Sequence, residues 1–208
     1  ELCQRYWRPL YGFARRSGRS VQAAEDSVQA FFVHLLSGDT LAMADRDRGR
    51  FRTFLLSSLQ NFMRNEHVRC STVRRGGGQR LLSLDVRDVE GTLISEPATA
   101  ATPEDEFERR WALTVLDEAL NTLAIKYSSR GKSEIFDTLA SYLSLEGAKT
   151  KYEQTASQLG MTPGAVKVAV HRLRREYRDQ LRLVVAETVQ DKNDVANELE
   201  TLLRALSK

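Results

Sequence analysis

The sequence has few of the residues that build disulfide frameworks, metal centres or membrane spans. Its 208 residues include two cysteines, Cys3 and Cys70, and three widely separated histidines. Two cysteines cannot form the disulfide network of a small secreted domain, so we expect a reducing, cytoplasmic environment. The separated histidines predict no metal site, and no cofactor motif is present. No run of about 18 apolar residues indicates a membrane span, and residues 1–4 do not resemble a signal peptide.

Motifs that would indicate an enzyme are also missing. The chain has no nucleophile paired with a base, no phosphate-binding glycine loop and no pair of carboxylates at catalytic spacing. Hydrophobic residues make up 41% of the chain and charged residues 28%, proportions that predict a folded globular protein. We therefore expect a protein that acts by binding and does not catalyse a reaction.

Charge is distributed unevenly, although the net charge is only +3. Residues 46–80 carry nine arginines against two acids, and residues 81–108 carry eight acids against one arginine. Residues 167–182 are basic again, with six cations against two acids. Two basic blocks indicate two contacts with a polyanion. Solvated helical faces would give the same charge runs, so charge alone leaves both interpretations open.

Hydrophobic periodicity predicts an all-α fold of two helical domains joined by a flexible acidic linker. In residues 1–78, apolar side chains recur at helical spacing in three stretches, separated at Gly18 and at a polar loop over 39–50. Residues 79–106 show no helical period, contain most of the acidic residues and are predicted to be the linker. The helical pattern returns over residues 107–208.

The strongest local pattern is a helix-turn-helix over residues 155–182. A first helix is predicted to end at Gly160, because glycine readily adopts the left-handed conformation at a helix C-terminus. Thr162 is a good N-cap, and Pro163 suits the first position of a second helix. This second helix has an apolar face and a flanking row of cations, so it can lie in the major groove of DNA. The alternative is an ordinary surface helix with solvated cations.

Read together, the two halves of the chain resemble the extracytoplasmic-function sigma factors, the small two-domain initiation subunits of bacterial RNA polymerase. Residues 164–174 (GAVKVAVHRLR) resemble the promoter-reading helix of that family, and residues 152–156 resemble the helix before it. Residues 24–32 (AEDSVQAFF) are similar to its polymerase-binding segment. Residues 51–55 followed by 60–61 are similar to its promoter-melting helix. Both domains match in the order that the family has.

Three short stretches look most like variants from planctomycetes and their relatives, namely residues 6–9, 49–52 and 186–189. The resemblance implies that residues 1–78 form a sigma region 2 and that residues 79–106 form a linker. Residues 107–208 would then form a sigma region 4 with a C-terminal helical extension. Region 2 would bind core polymerase and melt the −10 element, and region 4 would recognise the −35 element. The extension is predicted to be an amphipathic helix that either packs on the second domain or forms a regulatory surface.

The resemblance also implies roles for single residues. Contact with the coiled coil of the largest catalytic polymerase subunit is implied for Glu25, Asp26, Gln29 and Phe32. Contact with the opened −10 element is implied for Arg50, Arg52, Asn61, Asn65 and Arg69. Contact with the −35 element is implied for Thr162, Pro163, Gly164, Lys167, Val168, His171, Arg172, Arg174 and Arg175. Val168 and Ala169 stand where the family usually has polar or basic residues, so we expect a thymine methyl contact there.

The sequence thus predicts a sigma factor that directs promoter recognition and DNA melting. Its expected partners are core RNA polymerase and promoter DNA, and an anti-sigma factor or other regulator stays open as a third. The alternative is a helix-turn-helix repressor that acts without polymerase and dimerises on a palindrome. An adaptor or anti-sigma protein would not need two DNA-facing surfaces. The arginine- and asparagine-bearing helix near residue 60 favours the sigma factor, because a simple repressor has no use for it.

Overall fold

The computed structural model describes residues 2–37, 50–72, 102–143, 152–189 and 191–207, without the side chains of residues 67–72 and 192. Within these ranges every regular element is helical, which confirms the predicted all-α class. The α-helices are α1 (Leu2–Arg16), α2 (Val21–Ser37), α3 (Phe51–Thr72), α4 (Pro103–Ser128), α5 (Ser133–Ala140), α6 (Tyr152–Leu159), α7 (Pro163–Ala186) and α8 (Val195–Leu206). Short 3₁₀ helices follow α5 at Ser141–Leu143 and precede α8 at Lys192–Asp194.

The chain divides into two compact units with boundaries that differ from the predicted domains. Unit 1 comprises Glu1–Thr114 and Thr188–Lys208, and unit 2 comprises Val115–Glu187. The C-terminal extension is therefore part of the first unit, whereas the sequence pattern suggested packing on the second. The pattern of α8 shows that one face is apolar, but it does not show which surface covers that face. Most of the predicted linker, residues 79–101, lies outside the described residues, whereas its last residues, 103–106, form the first turn of α4.

Unit 1 has an aromatic core formed by α1, α2, α3 and the start of α4. Trp7 stacks on Phe32 with ring centroids 6.2 Å apart, and Phe31 meets the edge of Phe62 at 5.9 Å. The larger buried side chains of this core are Tyr6, Trp7, Leu10, Tyr11, Phe13, Phe31, Phe32, Leu35, Leu55, Leu59, Phe107 and Trp111. Full burial of one such side chain contributes about 1.5–3 kcal/mol, so packing and not helix propensity holds these helices together.

The turn between α1 and α2 follows the predicted pattern. Gly18 has a φ of +89°, a conformation that favours glycine, and the Ser20 hydroxyl accepts a hydrogen bond from the Ala23 amide at 3.3 Å. Arg19 then reaches α3, where its Nη1 lies 2.9 Å from Glu66 Oε2. This ion pair links the turn before α2 to the second half of α3. The predicted loop over 39–50 lies outside the described residues up to residue 49.

Helix α4 begins with a reciprocal cap. The Thr102 hydroxyl accepts a hydrogen bond from the Asp105 amide at 3.1 Å, and the Asp105 carboxylate accepts one from the Thr102 amide at 3.1 Å. One turn later Arg110 and Glu106 form a buried ion pair. Gly12 of α1 faces this pair, because a Cβ at that position would collide with the Arg110 side chain. The missing side chain at Gly12 therefore lets α1 and α4 approach each other closely.

Unit 2 packs α5, α6 and α7 against the second half of α4. Its buried cluster consists of Leu123, Tyr127, Phe136, Leu139, Tyr142, Ala156, Val166, Val170 and Leu173. Two tyrosine hydroxyls inside the unit have partners: Tyr142 Oη is 2.8 Å from Thr155 Oγ1, and Tyr177 donates to the Leu116 carbonyl at 3.3 Å. Burial raises the pKa of Tyr177 to about 12. The second unit is therefore a small helical scaffold that supports α6 and α7.

Candidate nucleic-acid and polymerase surfaces

The turn between α6 and α7 has the geometry that the sequence predicted. Gly160 has a φ of +61°, and the Met161 amide donates to the Ala156 carbonyl at 2.9 Å, which ends α6. Thr162 is extended at ψ 152°, and its side chain accepts a hydrogen bond from the Ala165 amide at 3.2 Å. Pro163 occupies the first position of α7. Two helices joined by three residues therefore present the start of α7 at a defined angle.

Helix α7 separates an apolar face from a cationic one. Its buried face carries Val166, Val170 and Leu173. The predicted −35 contacts are all exposed, from the cap to the middle of the same helix: Thr162, Pro163, Gly164, Lys167, Val168, His171, Arg172, Arg174 and Arg175. Val168 is 63% exposed, so its methyl groups are accessible to a ligand. The structure thus brings these residues together on the surface of one helix.

Two cations of this surface have contacts within unit 2. Arg174 donates from Nε and Nη2 to the Tyr142 carbonyl oxygen at 3.2 Å and 2.9 Å. Lys167 Nζ lies 5.5 Å from the ring centroid of Tyr152, within the range of a cation–π interaction. Arg174 therefore anchors α7 to the 3₁₀ turn after α5. Its guanidinium is engaged by this carbonyl and helps to position α7.

The predicted polymerase surface lies on α2, with one change. Asp26 is exposed, and Glu25 and Gln29 are partly exposed. Phe32 is only 6% exposed and stacks on Trp7, so its ring belongs to the core and is not available to a partner in this structure. A broad apolar stripe was visible in the sequence, but periodicity alone did not show that Phe31 and Phe32 both face inward.

Two exposed apolar residues of α2 were not predicted as contacts. Val33 and Leu36 are both more than half exposed. Together with Asp26 and Gln29 they follow a spacing of three, four and three residues, so all four lie along one side of the helix. This is the spacing of a coiled-coil seam, a sequence signal that could have identified them. We call this row of four residues the α2 ridge.

The asparagines predicted to meet the −10 element are exposed on α3. Asn61 and Asn65 are four residues apart and therefore share a face. Arg64 lies beside them and donates from Nη1 to Asn61 Oδ1 at 3.4 Å. Arg69 is within α3, but its side chain lies outside the described residues. The three exposed side chains form a polar, cationic patch on the middle of the helix.

The two arginines at the start of α3 are occupied by other parts of unit 1. Arg52 is 2% exposed; its Nε lies 2.9 Å from Glu108 Oε2, and its Nη1 forms an ion pair with Glu198. Its guanidinium also lies 4.2 Å from the ring centroid of Trp111. Burial lowers the pKa of Arg52, and the neighbouring Glu108 carboxylate opposes that shift. The predicted contact of Arg52 with DNA is therefore blocked in this structure.

Arg50 is held less tightly than Arg52. Its Nε lies 3.0 Å from Glu198 Oε2, and its Nη1 donates to Thr201 Oγ1 at 3.2 Å. Its side chain is 38% exposed. The sequence analysis did not identify Glu198 as a partner of these arginines. The signal was an acidic residue on the same helical face as the apolar Leu202, since a buried carboxylate is rarely found without a cationic partner.

The described ranges contain neither a candidate metal site nor a membrane-spanning helix. Among those residues, no group of three or more His, Cys, Asp or Glu side chains could hold a metal ion. None of the helices in the same ranges has the length and apolar character needed to cross a membrane.

One comparison with known protein families bears on these surfaces. Unit 1 presents a polar, cationic helix, and unit 2 presents two helices joined by a three-residue turn, a geometry that DNA-binding proteins use. Residues 2–72, which span α1 to α3, match the family Sigma-70 region 2, one region of the sigma factors. Region 2 is the part of these factors that binds polymerase and melts promoters, so the match favours the sigma factor over the repressor. Comparisons with curated proteins and with solved structures gave no match.

Proposed function

We propose that this protein is a cytoplasmic sigma factor of the extracytoplasmic-function type that recruits core RNA polymerase to its promoters. The family match over residues 2–72 is the observation that carries the proposal. Unit 1 supplies polymerase binding and −10 recognition, and unit 2, Val115–Glu187, supplies −35 recognition. The chain acts through binding energy and needs neither a cofactor nor ATP. The planctomycete-like variant and an anti-sigma partner stay predictions.

Polymerase binding is assigned to the α2 ridge. Val33 and Leu36 offer exposed apolar surface, and Asp26 adds a negative charge beside it. A helical partner with complementary apolar positions could pack along this ridge, and basic residues on the partner would be attracted to Asp26. The ridge replaces the predicted set that included Phe32, because a buried ring cannot contribute contact area.

Recognition of the −10 element is assigned to the exposed patch on α3. Asn61 and Asn65 can hydrogen-bond the edges of unpaired bases, and Arg64 can bind the backbone or stack on a base. Stacking contributes about 1–3 kcal/mol per base, which is comparable with the cost of opening a base-pair step. Protein contacts that form only with unpaired bases therefore favour opening of the DNA duplex, and no ATP hydrolysis is needed.

Recognition of the −35 element is assigned to the exposed face of α7. Its N-terminal half carries Lys167, Val168 and His171, which would face base edges, and Arg172 and Arg175 follow at the level of the phosphates. The accessible methyl groups of Val168 fit a thymine methyl group in the major groove. A well-formed base contact contributes about 1–3 kcal/mol of discrimination.

Run-off transcription with purified core polymerase tests the proposal. We expect promoter-dependent transcripts with the wild-type chain, and Asp26→Arg should lower core binding about tenfold or more by placing a cation at the α2 ridge. Glu134→Arg is the matched control, because this exposed glutamate lies on α5 in unit 2. Arg172→Ala should weaken −35 recognition and leave core binding unchanged. Absence of both transcript and core co-purification would refute the sigma-factor proposal.

A further inference from the structure

The C-terminal helix α8 inserts a carboxylate between two arginines. Glu198 is 1% exposed and pairs with both Arg50 and Arg52, which flank the first residue of α3. Leu202 and Ala205 lie on the same face of α8 and are also buried. Residues 191–206 carry four acids against two cations, whereas residues 46–80 carry an excess of seven positive charges. The helix is therefore electrostatically suited to the basic segment that it contacts.

A carboxylate and a phosphodiester oxygen make the same kind of contact with a guanidinium. Both are anionic acceptors that arginine binds through charge-assisted hydrogen bonds. We propose that α8 is a displaceable internal ligand of the Arg50–Arg52 pair, and that a nucleic-acid phosphate replaces the Glu198 carboxylate when unit 1 binds a DNA strand. This inference rests on the proposed function, because it concerns the same promoter-binding unit.

The other contacts of Arg50 and Arg52 allow a phosphate to replace the Glu198 carboxylate. When Glu198 leaves, Arg52 keeps Glu108 and the face of Trp111, so no unpaired cation stays buried. Arg50 is already 38% exposed and can be hydrated or can accept a phosphate. Glu198 returns to water, where its desolvation cost disappears. With α8 in place, the extension competes with nucleic acid for both arginines and weakens DNA binding.

Binding of a single strand to the full-length chain tests the exchange without polymerase. The probe is a fluorescent mixed-sequence 20-mer of single-stranded DNA, titrated at several salt concentrations. Glu198→Gln should bind several-fold more tightly, and the slope of log affinity against log salt should steepen by about 0.7 for each phosphate gained. Glu200→Gln is the control, because it removes the same charge from an exposed position of α8. Equal affinities and slopes for the two variants would overturn the proposal.

Amide hydrogen exchange of the wild-type chain is a second test. It needs no variant, so a substitution that prevents folding cannot affect it. Saturating single-stranded DNA should accelerate amide exchange in residues 195–206 at least several-fold, because α8 leaves its site. Unchanged or slower exchange there with DNA bound would mean that α8 is a permanent part of unit 1, and would overturn the proposal. Absence of core binding and of promoter-dependent transcription would instead refute the sigma-factor proposal, so the two failures are distinguishable.

Discussion

At the scale of single residues, the arginines of this chain divide into two groups. Arg172 and Arg175 are exposed on α7, whereas Arg52 and Arg174 are engaged by groups of their own unit. Guanidinium groups suit both uses, because their rigid array of donors binds carbonyls and carboxylates as well as phosphates. A basic residue in the sequence therefore predicts a phosphate contact only where the fold leaves its side chain free.

This division predicts opposite effects for two neighbouring substitutions. Arg174→Ala should lower the free energy of unfolding of unit 2 by about 1 kcal/mol, because the Tyr142 carbonyl loses two charged donors. Arg175→Ala should leave stability unchanged and reduce the salt slope of duplex DNA binding by about 0.9, the loss of one phosphate contact. Urea unfolding and DNA titrations of both variants would check this. Equal stability for the two variants would contradict the anchoring role of Arg174.

A pH dependence is expected from the buried phenol of Tyr6. Burial raises the pKa of Tyr6 to about 12, so the folded unit prefers the neutral form more strongly than the unfolded chain, whose tyrosines ionise near pH 10. The contribution of the neutral Tyr6 phenol to the unfolding free energy is complete below about pH 10 and is lost as the pH rises through about 12. Two pKa units correspond to about 3 kcal/mol. Wild type should therefore lose up to about 3 kcal/mol of unfolding free energy relative to Tyr6→Phe across this range, and a constant difference would contradict it.

At the scale of elements, the helix boundaries depend on local chemistry. Gly18 and Gly160 have positive φ values at the ends of α1 and α6, and Ser20 and Thr162 each accept an amide hydrogen bond at the start of the next helix. Because these interactions span only a few residues, the sequence was enough to place them. The orientation of the helical faces was harder to derive, as Phe32 shows.

The cap of α7 can be tested by a pair of substitutions. Thr162→Ala removes the acceptor of the Ala165 amide and should lower the unfolding free energy of unit 2 by about 1 kcal/mol. Thr162→Ser keeps the hydroxyl and should restore most of that stability. Thermal unfolding monitored by the exchange of unit 2 amides would measure both. A serine variant as unstable as the alanine variant would argue against the capping interaction.

At the scale of the whole molecule, residues 188–208 belong to unit 1, although unit 2 precedes them in the sequence. Both tryptophans, Trp7 and Trp111, lie in unit 1, so their fluorescence reports on that unit alone. Deletion of residues 188–208 removes the buried Leu202 and the partner of Arg50, and should lower the unfolding temperature seen by tryptophan fluorescence by about 10 °C.

Unit 2 supplies the comparison for this truncation. Its amides should keep their protection against hydrogen exchange, because residues 188–208 belong to unit 1. Loss of protection in unit 2, with an unchanged tryptophan transition, would mean that the extension stabilises the second unit.

From the sequence alone, the helical class, the breaks at Gly18 and Gly160, the turn between α6 and α7 and the exposed cationic face of α7 could be predicted. Those features depend on caps, glycines and periodicity within about 20 residues, which can be read along the chain. Tertiary packing, in contrast, buries Phe32 in the core, anchors Arg174 to the Tyr142 carbonyl, and places Glu198 against Arg50 and Arg52. The last contact joins residues about 150 positions apart, and no local pattern specifies such a pairing because it depends on how separate helices pack.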